Sequence, residues 1–329
     1  MGLPRSVPRK VEDVRIDDAP SLDTLIRRLD SGGGFSAKEV ATGVDLLARI
    51  LKDREMTTFL SFPADIVATG TRGVLATLVR EGYVDAVITT CGTLDHDLAR
   101  SYRPYYHGDW DLDDADLHRR HVYRLGNLII PRANYGTILE RKMRVILDRL
   151  WAGGTRALST RALAAAIGEA IPSRERSSIL RAAADRNVPV IVPGITDGAV
   201  GSQVWLYWQD HRGLSIDLLS DEQLLSDLVF DAKRSGAIML GGGISKHHTI
   251  WEPVPGRARR RALPHDGGGV GRQPIGGPDA RGGLVGEGEG ERSPRDGDGR
   301  RHRPLPADGR GGARADPLRA LTSPTRTVP

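Results

Sequence analysis

Residues 84–97 read Val-Asp-Ala-Val-Ile-Thr-Thr-Cys-Gly-Thr-Leu-Asp-His-Asp. The first half is a short run of apolar and β-branched residues without helical periodicity, which is typical of a parallel strand buried on both faces. The run breaks at Cys91-Gly92-Thr93, and Asp95, His96 and Asp97 follow at once. Ligands of open α/β sheets bind just beyond the carboxyl ends of the strands, so this stretch predicts one wall of a binding site. Alternatively, Asp95 or Asp97 only caps the helix that follows.

Three other predicted strands end in the same way, at residues 57–62, 188–192 and 237–240. Each is an apolar run that gives way to small residues and then to one or two polar groups. Because glycines let a backbone approach phosphate and helix N-termini favour its charge, four such ends predict a nucleotide-like ligand. The predicted fold class is α/β, a doubly wound, mostly parallel sheet with helices on both faces. The sequence contains neither G-x-G-x-x-G nor G-x-x-x-x-G-K-[ST], so the common dinucleotide and P-loop fingerprints are absent.

Helices are predicted wherever apolar residues recur at helical spacing. In residues 36–53 the apolar positions Val40, Val44, Leu47 and Leu51 lie on one helix face. The other predicted helices span residues 21–31, 71–81, 135–151, 160–171, 177–187 and 221–235. Two more strands are predicted at residues 127–131 and 214–219, and a glycine-rich loop at residues 193–202.

Composition excludes several classes of protein. The single cysteine, Cys91, allows no internal disulfide and fits a reducing compartment, so a cytoplasmic location is predicted. No run of about 18 apolar residues occurs, which predicts no membrane partner. The formal net charge of +5 lies entirely in residues 252–329, because residues 1–251 hold 32 basic and 32 acidic side chains. The folded part therefore gives no electrostatic reason to expect a nucleic-acid partner.

Residues 102–121 concentrate aromatic side chains, histidines and aspartates. His107, His118 and His121 raise the question of a metal site. Their spacing matches no known ligand pattern, so we predict a polar surface excursion and no metal.

Five segments, in register along residues 12 to 251, resemble deoxyhypusine synthase. They read Phe-Leu-Ser-Phe-Pro-Ala-Asp-Ile-Val-Ala-Thr-Gly-Thr-Arg-Gly (59–73), Val-Asp-Ala-Val-Ile-Thr-Thr-Cys-Gly (84–92), Arg-Leu-Gly-Asn-Leu-Ile-Ile-Pro (124–131), Pro-Gly-Ile-Thr-Asp-Gly (193–198) and Gly-Gly-Gly-Ile-Ser-Lys-His-His (241–248). The resemblance implies a homotetrameric, NAD-dependent enzyme. Such an enzyme oxidises spermidine, captures its aminobutyl group on a lysine, and passes the group to one lysine of translation initiation factor 5A.

The resemblance also implies roles for individual residues. The residues that would line NAD are Asp65, Thr69, Thr90, Cys91, Gly92, Asp197, Gly241 and Gly242. His247 would be the base beside the substrate, because a histidine can move protons near neutral pH. The substrate would also contact His96 and Ser202.

Three positions depart from the family pattern. The best-known members have Thr-Ser-Asn where this chain has Pro63-Ala64-Asp65. They have a glutamate at the position of His96 and an aspartate at that of Ser202, and both acids grip the polyamine. The loss of two carboxylates leaves open a sister transferase that acts on a small amine, as homospermidine synthases do. It also leaves open a non-catalytic protein that binds NAD or a polyamine.

The chain divides into an arm at residues 1–20, an NAD-binding domain at 21–251 and a tail at 252–329. The tail holds 17 of the 40 glycines, 11 of the 20 prolines and no aromatic residue, so it is predicted to be disordered. Members of the family continue instead with a Trp-Asp-Gly-Ser stretch and a Ser-Trp-Gly-Lys stretch, of which the second carries the catalytic lysine.

A shift of reading frame would restore those stretches. When the last two bases of each codon are joined to the first base of the next, residues 269–273 can encode Glu-Trp-Asp-Gly-Ser. Residues 284–287 can encode Ser-Trp-Gly-Lys in the same frame. We interpret the tail as frameshifted after Trp251, which predicts that the chain as written lacks the lysine nucleophile and is inactive. The alternative is a genuine basic tail that binds RNA or another anionic partner.

Overall fold

The structure, a computed structural model, describes residues 11–16 and 20–251, so most of the predicted arm and the whole tail lie outside the described residues. The helices are α1 (Leu22–Gly32), α2 (Phe35–Lys52), α3 (Thr71–Arg80), α4 (Cys91–Arg100), α5 (Asp114–Arg119), α6 (Gly136–Ala152), α7 (Thr160–Ala170), α8 (Ile179–Arg186), α9 (Ala199–Asp210), α10 (Leu219–Asp231) and α11 (Gly243–Trp251). The strands are β1 (Met56–Phe62), β2 (Ala86–Thr89), β3 (Tyr106–His107), β4 (Val122–Leu125), β5 (Leu128–Pro131), β6 (Ala157–Leu158), β7 (Val190–Ile191), β8 (Ser215–Ile216) and β9 (Arg234–Met239).

The main sheet has the strand order β7-β2-β1-β9, and all its neighbouring strands are parallel. These strands are the four whose ends share the pattern of an apolar run followed by small residues. In the central pair, Leu60 lies opposite Val87 and Phe62 opposite Thr89. The predicted α/β class with a parallel sheet is therefore confirmed.

The two faces of the main sheet are covered by different helices. Leu60, Phe62 and Val87 belong to a large apolar cluster with residues of α3, α4, α6, α7, α8 and α9. Phe59 and Ile88, which alternate with them along the strands, pack against Leu225 and Val229 of α10 together with Ile191. Because both faces are buried, the strands read as continuous apolar runs.

Two smaller sheets lie outside the main one. The predicted strand at 127–131 becomes β5, which pairs antiparallel with β3 and β4. The strand predicted at 214–219 is much shorter, because only Ser215–Ile216 pairs, parallel to Ala157–Leu158.

Two predicted boundaries are wrong. The helix predicted at 221–235 ends at Asp231, since residues 234–239 join the main sheet opposite residues 56–61. The loop predicted at 193–202 ends earlier, because α9 already begins at Ala199. In both cases contacts with residues distant in sequence override the local pattern.

Among the described residues, no helix combines the length and apolar character needed to cross a membrane. The same part of the chain contains no cluster of three or more histidine, cysteine, aspartate or glutamate side chains able to hold a metal ion. Residues 106–131 form β3, α5, β4 and β5, a largely exposed excursion from the main sheet.

We expect Gly168→Ala to destabilise the fold by about 3 kcal/mol, as in an overpacked core. A Cβ atom at Gly168 of α7 would lie 2.2 Å from the carbonyl oxygen of Leu180 in α8, and backbone cannot rotate away. The matched control is Gly43→Ala in α2, where an added Cβ meets no atom within 4 Å. The control is expected to gain about 0.5–1 kcal/mol from helix propensity. Urea unfolding measures both, and equal stabilities for the two variants would contradict the expectation.

Candidate ligand site at the carboxyl edge of the sheet

Four loops leave the carboxyl ends of the four parallel strands and contact one another. They comprise residues 63–70 after β1, residue 90 with the first two residues of α4 after β2, residues 193–198 after β7 and residues 240–242 after β9. The first two are joined directly, because the backbone N–H of Ala64 donates to Oγ1 of Thr90 at 3.1 Å. The edge at which the sequence predicts a site is thus one continuous surface.

Glycines permit the close approach of these loops. A Cβ atom at Gly92 would lie 2.8 Å from Cβ of Ala64, and one at Gly198 would lie 2.6 Å from Sγ of Cys91. At Gly241, where φ is +71°, an added Cβ would lie 3.1 Å from the ring of Pro63. Each distance is shorter than ordinary van der Waals contact, so a larger residue would separate the loops.

Other glycines leave the backbone open on the outer side of the edge. At Gly70 and Gly242 an added Cβ would meet no atom within 4 Å, and both residues are exposed. Open glycine backbone beside helix N-termini is what a dinucleotide diphosphate requires. The open backbone at these glycines therefore fits NAD, although the sequence contains no G-x-G-x-x-G fingerprint.

The strand order points to one crevice along this edge. From β1 the chain passes to β2 and then to β7 on one side, whereas β9 lies on the other side of β1. Ligands of open α/β sheets bind where the strand order reverses in this way. This rule predicts that a ligand lies near the loop with Asp65 and Thr69 and the loop with Gly241 and Gly242.

Asp95 lies inside α4 and caps the start of another helix. Its Oδ1 accepts the backbone N–H of Val200 at 2.7 Å, and its Oδ2 accepts that of Ala199 at 2.9 Å and the hydroxyl of Tyr135 at 2.8 Å. The first turn of α9, which directly follows the loop 193–198, is therefore held by α4. Burial raises the pKa of Asp95 to about 6, even though the two backbone N–H donors and Tyr135 favour its ionised form.

Asp97 caps a third helix in the same manner. Its Oδ2 accepts the hydroxyl of Ser178 and the backbone N–H of Leu180, both at 2.8 Å, at the start of α8. Its Oδ1 lies 2.5 Å from Nε of Arg72, and both side chains are almost inaccessible to solvent. Since α4 begins at Cys91, neither Asp95 nor Asp97 caps the helix that contains it, which corrects that alternative.

His96 points into the interior. Its Nδ1 lies 3.0 Å from the hydroxyl of Tyr105, and its ring lies 5.5 Å from that of Tyr135. Burial, and to a smaller extent the positive charge of Arg100, lower the pKa of His96 to about 4. The imidazole is therefore neutral at pH 7 and presents no charge to a polyamine.

The structure also shows that Arg100 and Tyr135 support the candidate site, although the sequence gave no local signal for either residue. Nη1 of Arg100 donates to the carbonyl oxygen of Val67 at 2.6 Å and to that of Thr69, so α4 also holds the loop after β1. Tyr135 reaches Asp95 from the residue that precedes α6. Arg100 and Tyr135 are ordinary residues of helical segments in the sequence, and only the tertiary contacts show their role.

The predicted site residues differ in exposure. Those exposed are Asp65, Thr69, Asp197, Ser202, Gly241, Gly242 and His247. Thr90 and Gly92 are half-buried, whereas Cys91 and His96 are buried. Burial, followed by the charge of Asp95, raises the pKa of the Cys91 thiol, so this cysteine is an uncharged packing residue. The hydroxyl of Ser202 donates to the carbonyl oxygen of Gly198 at 3.0 Å.

An apolar cleft of about 350 Å³ lies beside the loop 193–198. Its walls include Ile195, Val204, Trp205, Trp208 and Leu214, and none of its lining residues is ionisable. A charged amine or phosphate would have no oppositely charged partner among these residues, so the charged and open residues of the loop edge remain the candidate site.

Comparison with known proteins was made on sequence and on structure. The family model for deoxyhypusine synthase matches residues 24–262. A protein of Picrophilus torridus described as a probable deoxyhypusine synthase is 47% identical over 241 residues, covering 73% of this chain and 76% of that protein. One of Thermoplasma acidophilum with the same description is 46% identical over 243 residues, covering 74% and 77%.

The fold has a counterpart among solved structures. The crystal structure of a candidate deoxyhypusine synthase from Entamoeba histolytica superposes with a TM-score of 0.53 at 19% identity, covering 71% of this chain and 79% of that one. At this identity the likeness concerns the fold alone.

Proposed function

The chain belongs to the deoxyhypusine synthase family of transferases, and from that premise we propose that its site uses NAD and spermidine. The aminobutyl group of spermidine is transferred to a lysine of translation initiation factor 5A, and the enzyme works as a homotetramer in the cytoplasm. The observation that carries the proposal is the meeting of four glycine-containing loops at the carboxyl edge of the parallel sheet.

We infer the position of the cofactor from the reversal of strand order between β1 and β9. The exposed residues of the two loops at this point are Asp65 and Thr69 after β1, and Gly241 and Gly242 after β9. The half-buried Thr90 and Gly92 would lie beneath the cofactor, and the buried Cys91 would contribute only to the packing below it. Bound NAD would supply the hydride acceptor for oxidation of a carbon beside an amine.

The protein's own residues would hold the cofactor and move the proton of the substrate amine. Asp197 is an exposed carboxylate near the end of the loop 193–198, where it would accept hydrogen bonds from NAD. His247 is exposed in the middle of α11, and an imidazole nitrogen of His247 would take the proton from the substrate amine. The acids of this edge attract a polyamine cation.

One observation supports a second candidate acceptor, a small amine. His96 is buried and neutral, and Ser202 brings a hydroxyl, so neither position supplies a carboxylate to the site. A site with fewer carboxylates suits a smaller amine acceptor, such as putrescine, in place of a protein lysine.

The proposal includes a break in the reading frame after Trp251. The family match ends at residue 262, and about a quarter of each relative from Picrophilus and Thermoplasma lies outside the aligned part. The last lysine of the sequence is Lys246, in α11. Sequencing the gene across the codon for Trp251 tests the break directly, and an unbroken frame through Pro329 would contradict it.

We expect Asp197→Ala to weaken NAD binding by about 10- to 100-fold, the equivalent of losing one charge-assisted hydrogen bond of about 1.5–3 kcal/mol. Asp210→Ala is the matched control, because Asp210 is an exposed aspartate at the other end of α9 and its removal changes the net charge equally. Isothermal titration with NAD measures both proteins. An unchanged dissociation constant in Asp197→Ala, or equal weakening in the control, would remove Asp197 from the site.

A further inference from the structure

We propose that Asp95 is a positioning residue for the cofactor: by capping α9 it fixes the end of the loop that carries Asp197. The inference rests on the proposed use of NAD and adds a residue that acts without touching the ligand. Its basis is the set of hydrogen bonds from Ala199, Val200 and Tyr135 to one buried carboxylate.

The contact geometry shows why this end of the loop depends on α4. Gly198 has room for no Cβ, which would lie 2.6 Å from Sγ of Cys91 and 3.0 Å from Oδ2 of Asp95. The backbone of Gly201 is equally close to the loop, because a Cβ there would lie 2.0 Å from the carbonyl oxygen of Ile195. The loop is thus packed between α4 and the first turn of α9, and Asp95 provides charged hydrogen-bond contacts between these helices.

The cap also decides which backbone donors remain for a ligand. The N–H groups of Ala199 and Val200 are the first two of α9, and Asp95 occupies both. The start of α9 is therefore not a phosphate cradle. Its role is to hold Asp197, two residues before this turn, at the exposed surface.

The decisive variant is Asp95→Asn in the full-length chain, which keeps the size of the side chain and removes its charge. We expect the dissociation constant for NAD at pH 7.5 to rise at least tenfold. Hydrogen exchange of the Ala199 and Val200 amides should accelerate in the same variant. Ser178→Ala is the control: it removes the cap of α8 and should lower thermal stability without altering NAD affinity. Tyr135→Phe removes one of the three hydrogen bonds and serves as a milder variant if Asp95→Asn does not fold.

The pH dependence of binding gives a readout that a purely structural role would not move. Protonation of Asp95, with a pKa of about 6, should weaken NAD binding by up to about tenfold between pH 7 and pH 5 in the wild-type protein. The groups that face Asp95 are Cys91, Tyr135, Asp197 and Tyr105. Any contribution from these groups or from His247 is common to both proteins, so the dependence on pH should be smaller in Asp95→Asn.

The outcomes separate this inference from the proposed function. Absence of NAD binding by the wild-type protein would overturn the proposed function, and this inference with it. Normal binding by the wild type, with an affinity in Asp95→Asn within twofold of it and the same pH profile, would overturn the inference alone. Faster exchange at Ala199 and Val200 with an unchanged affinity would likewise overturn it, because the loop end would then be free to move without consequence for the ligand.

Discussion

We expect the 329-residue chain to transfer no label from spermidine to an acceptor lysine, whereas a version read in the alternative frame after Trp251 transfers it. Capture of the imine requires a neutral amine placed beside the oxidised carbon, and a lysine provides one only when burial or a nearby cation lowers its pKa. By resemblance, the family supplies that lysine from a Ser-Trp-Gly-Lys stretch, which the codons of residues 284–287 can encode in the alternative frame. The difference between the two proteins is expected to exceed a thousandfold.

The assay follows radiolabelled spermidine into initiation factor 5A and, separately, into putrescine. The restored chain with its Ser-Trp-Gly-Lys lysine changed to alanine is the matched control and should also be inactive. Label in the protein acceptor supports the synthase, and label only in putrescine supports the small-amine transferase. Comparable transfer by the 329-residue chain would show that Lys246 or another lysine acts as the nucleophile. Lys246 is half-buried in α11, and we expect Lys246→Met to leave the activity of the restored chain within tenfold.

The second large effect is expected in the interior, where Asp97→Ala should lower the free energy of unfolding by about 3–5 kcal/mol. Removing the carboxylate leaves the guanidinium of Arg72, which is 4% exposed, with Glu175 at 3.5 Å as its one acidic partner among the described residues. The cap on Leu180 and the partner of the Ser178 hydroxyl are lost in the same step. Domains are stable by only about 5–15 kcal/mol, so the loss is a large share of the total.

The control for Asp97→Ala is an ion pair of similar length at the surface. Arg27 and Asp45 lie 2.7 Å apart, but their side chains are 53% and 38% exposed. Asp45→Ala should therefore cost less than about 1 kcal/mol. Urea denaturation followed by circular dichroism measures both. If the two variants lost similar stability, burial of the Arg72–Asp97 pair would not have the importance that we assign to it.

The fold was accessible from sequence where its causes are local. The strands β1, β2, β7 and β9 were predicted because a strand buried on both faces leaves an unbroken apolar run, and small residues follow where each ends. The boundary between α10 and β9 was missed, because residues 234–239 are extended only through pairing with β1. The strand predicted at 214–219 is only two residues long, since it pairs with nothing longer than Ala157–Leu158.

The candidate site was likewise predicted only in part from the sequence. Its loops were predicted from glycine and from the family resemblance, and the structure brings the four loops together. The interpretation of residues 95–97 could not be settled from the sequence, because three ionisable side chains after a strand describe a site wall and an internal cap equally well. The distinction depends on Val200 and Leu180, which lie 105 and 83 residues away from their acceptors. The local sequence of a helix does not predict that one of its side chains caps a distant helix.

The long chain separation of these caps has a consequence for the order of folding. Contacts of high sequence separation must overcome the entropy of closing a long loop before they stabilise anything. The strand-helix-strand unit around β1 and β2 closes with contacts about thirty residues apart, such as Arg100 to Val67 at 33. The cap from Asp95 to Val200 must wait for α9, which the ribosome makes much later. The first half of the chain can therefore become compact well before the ligand edge exists, and binding competence marks the end of folding.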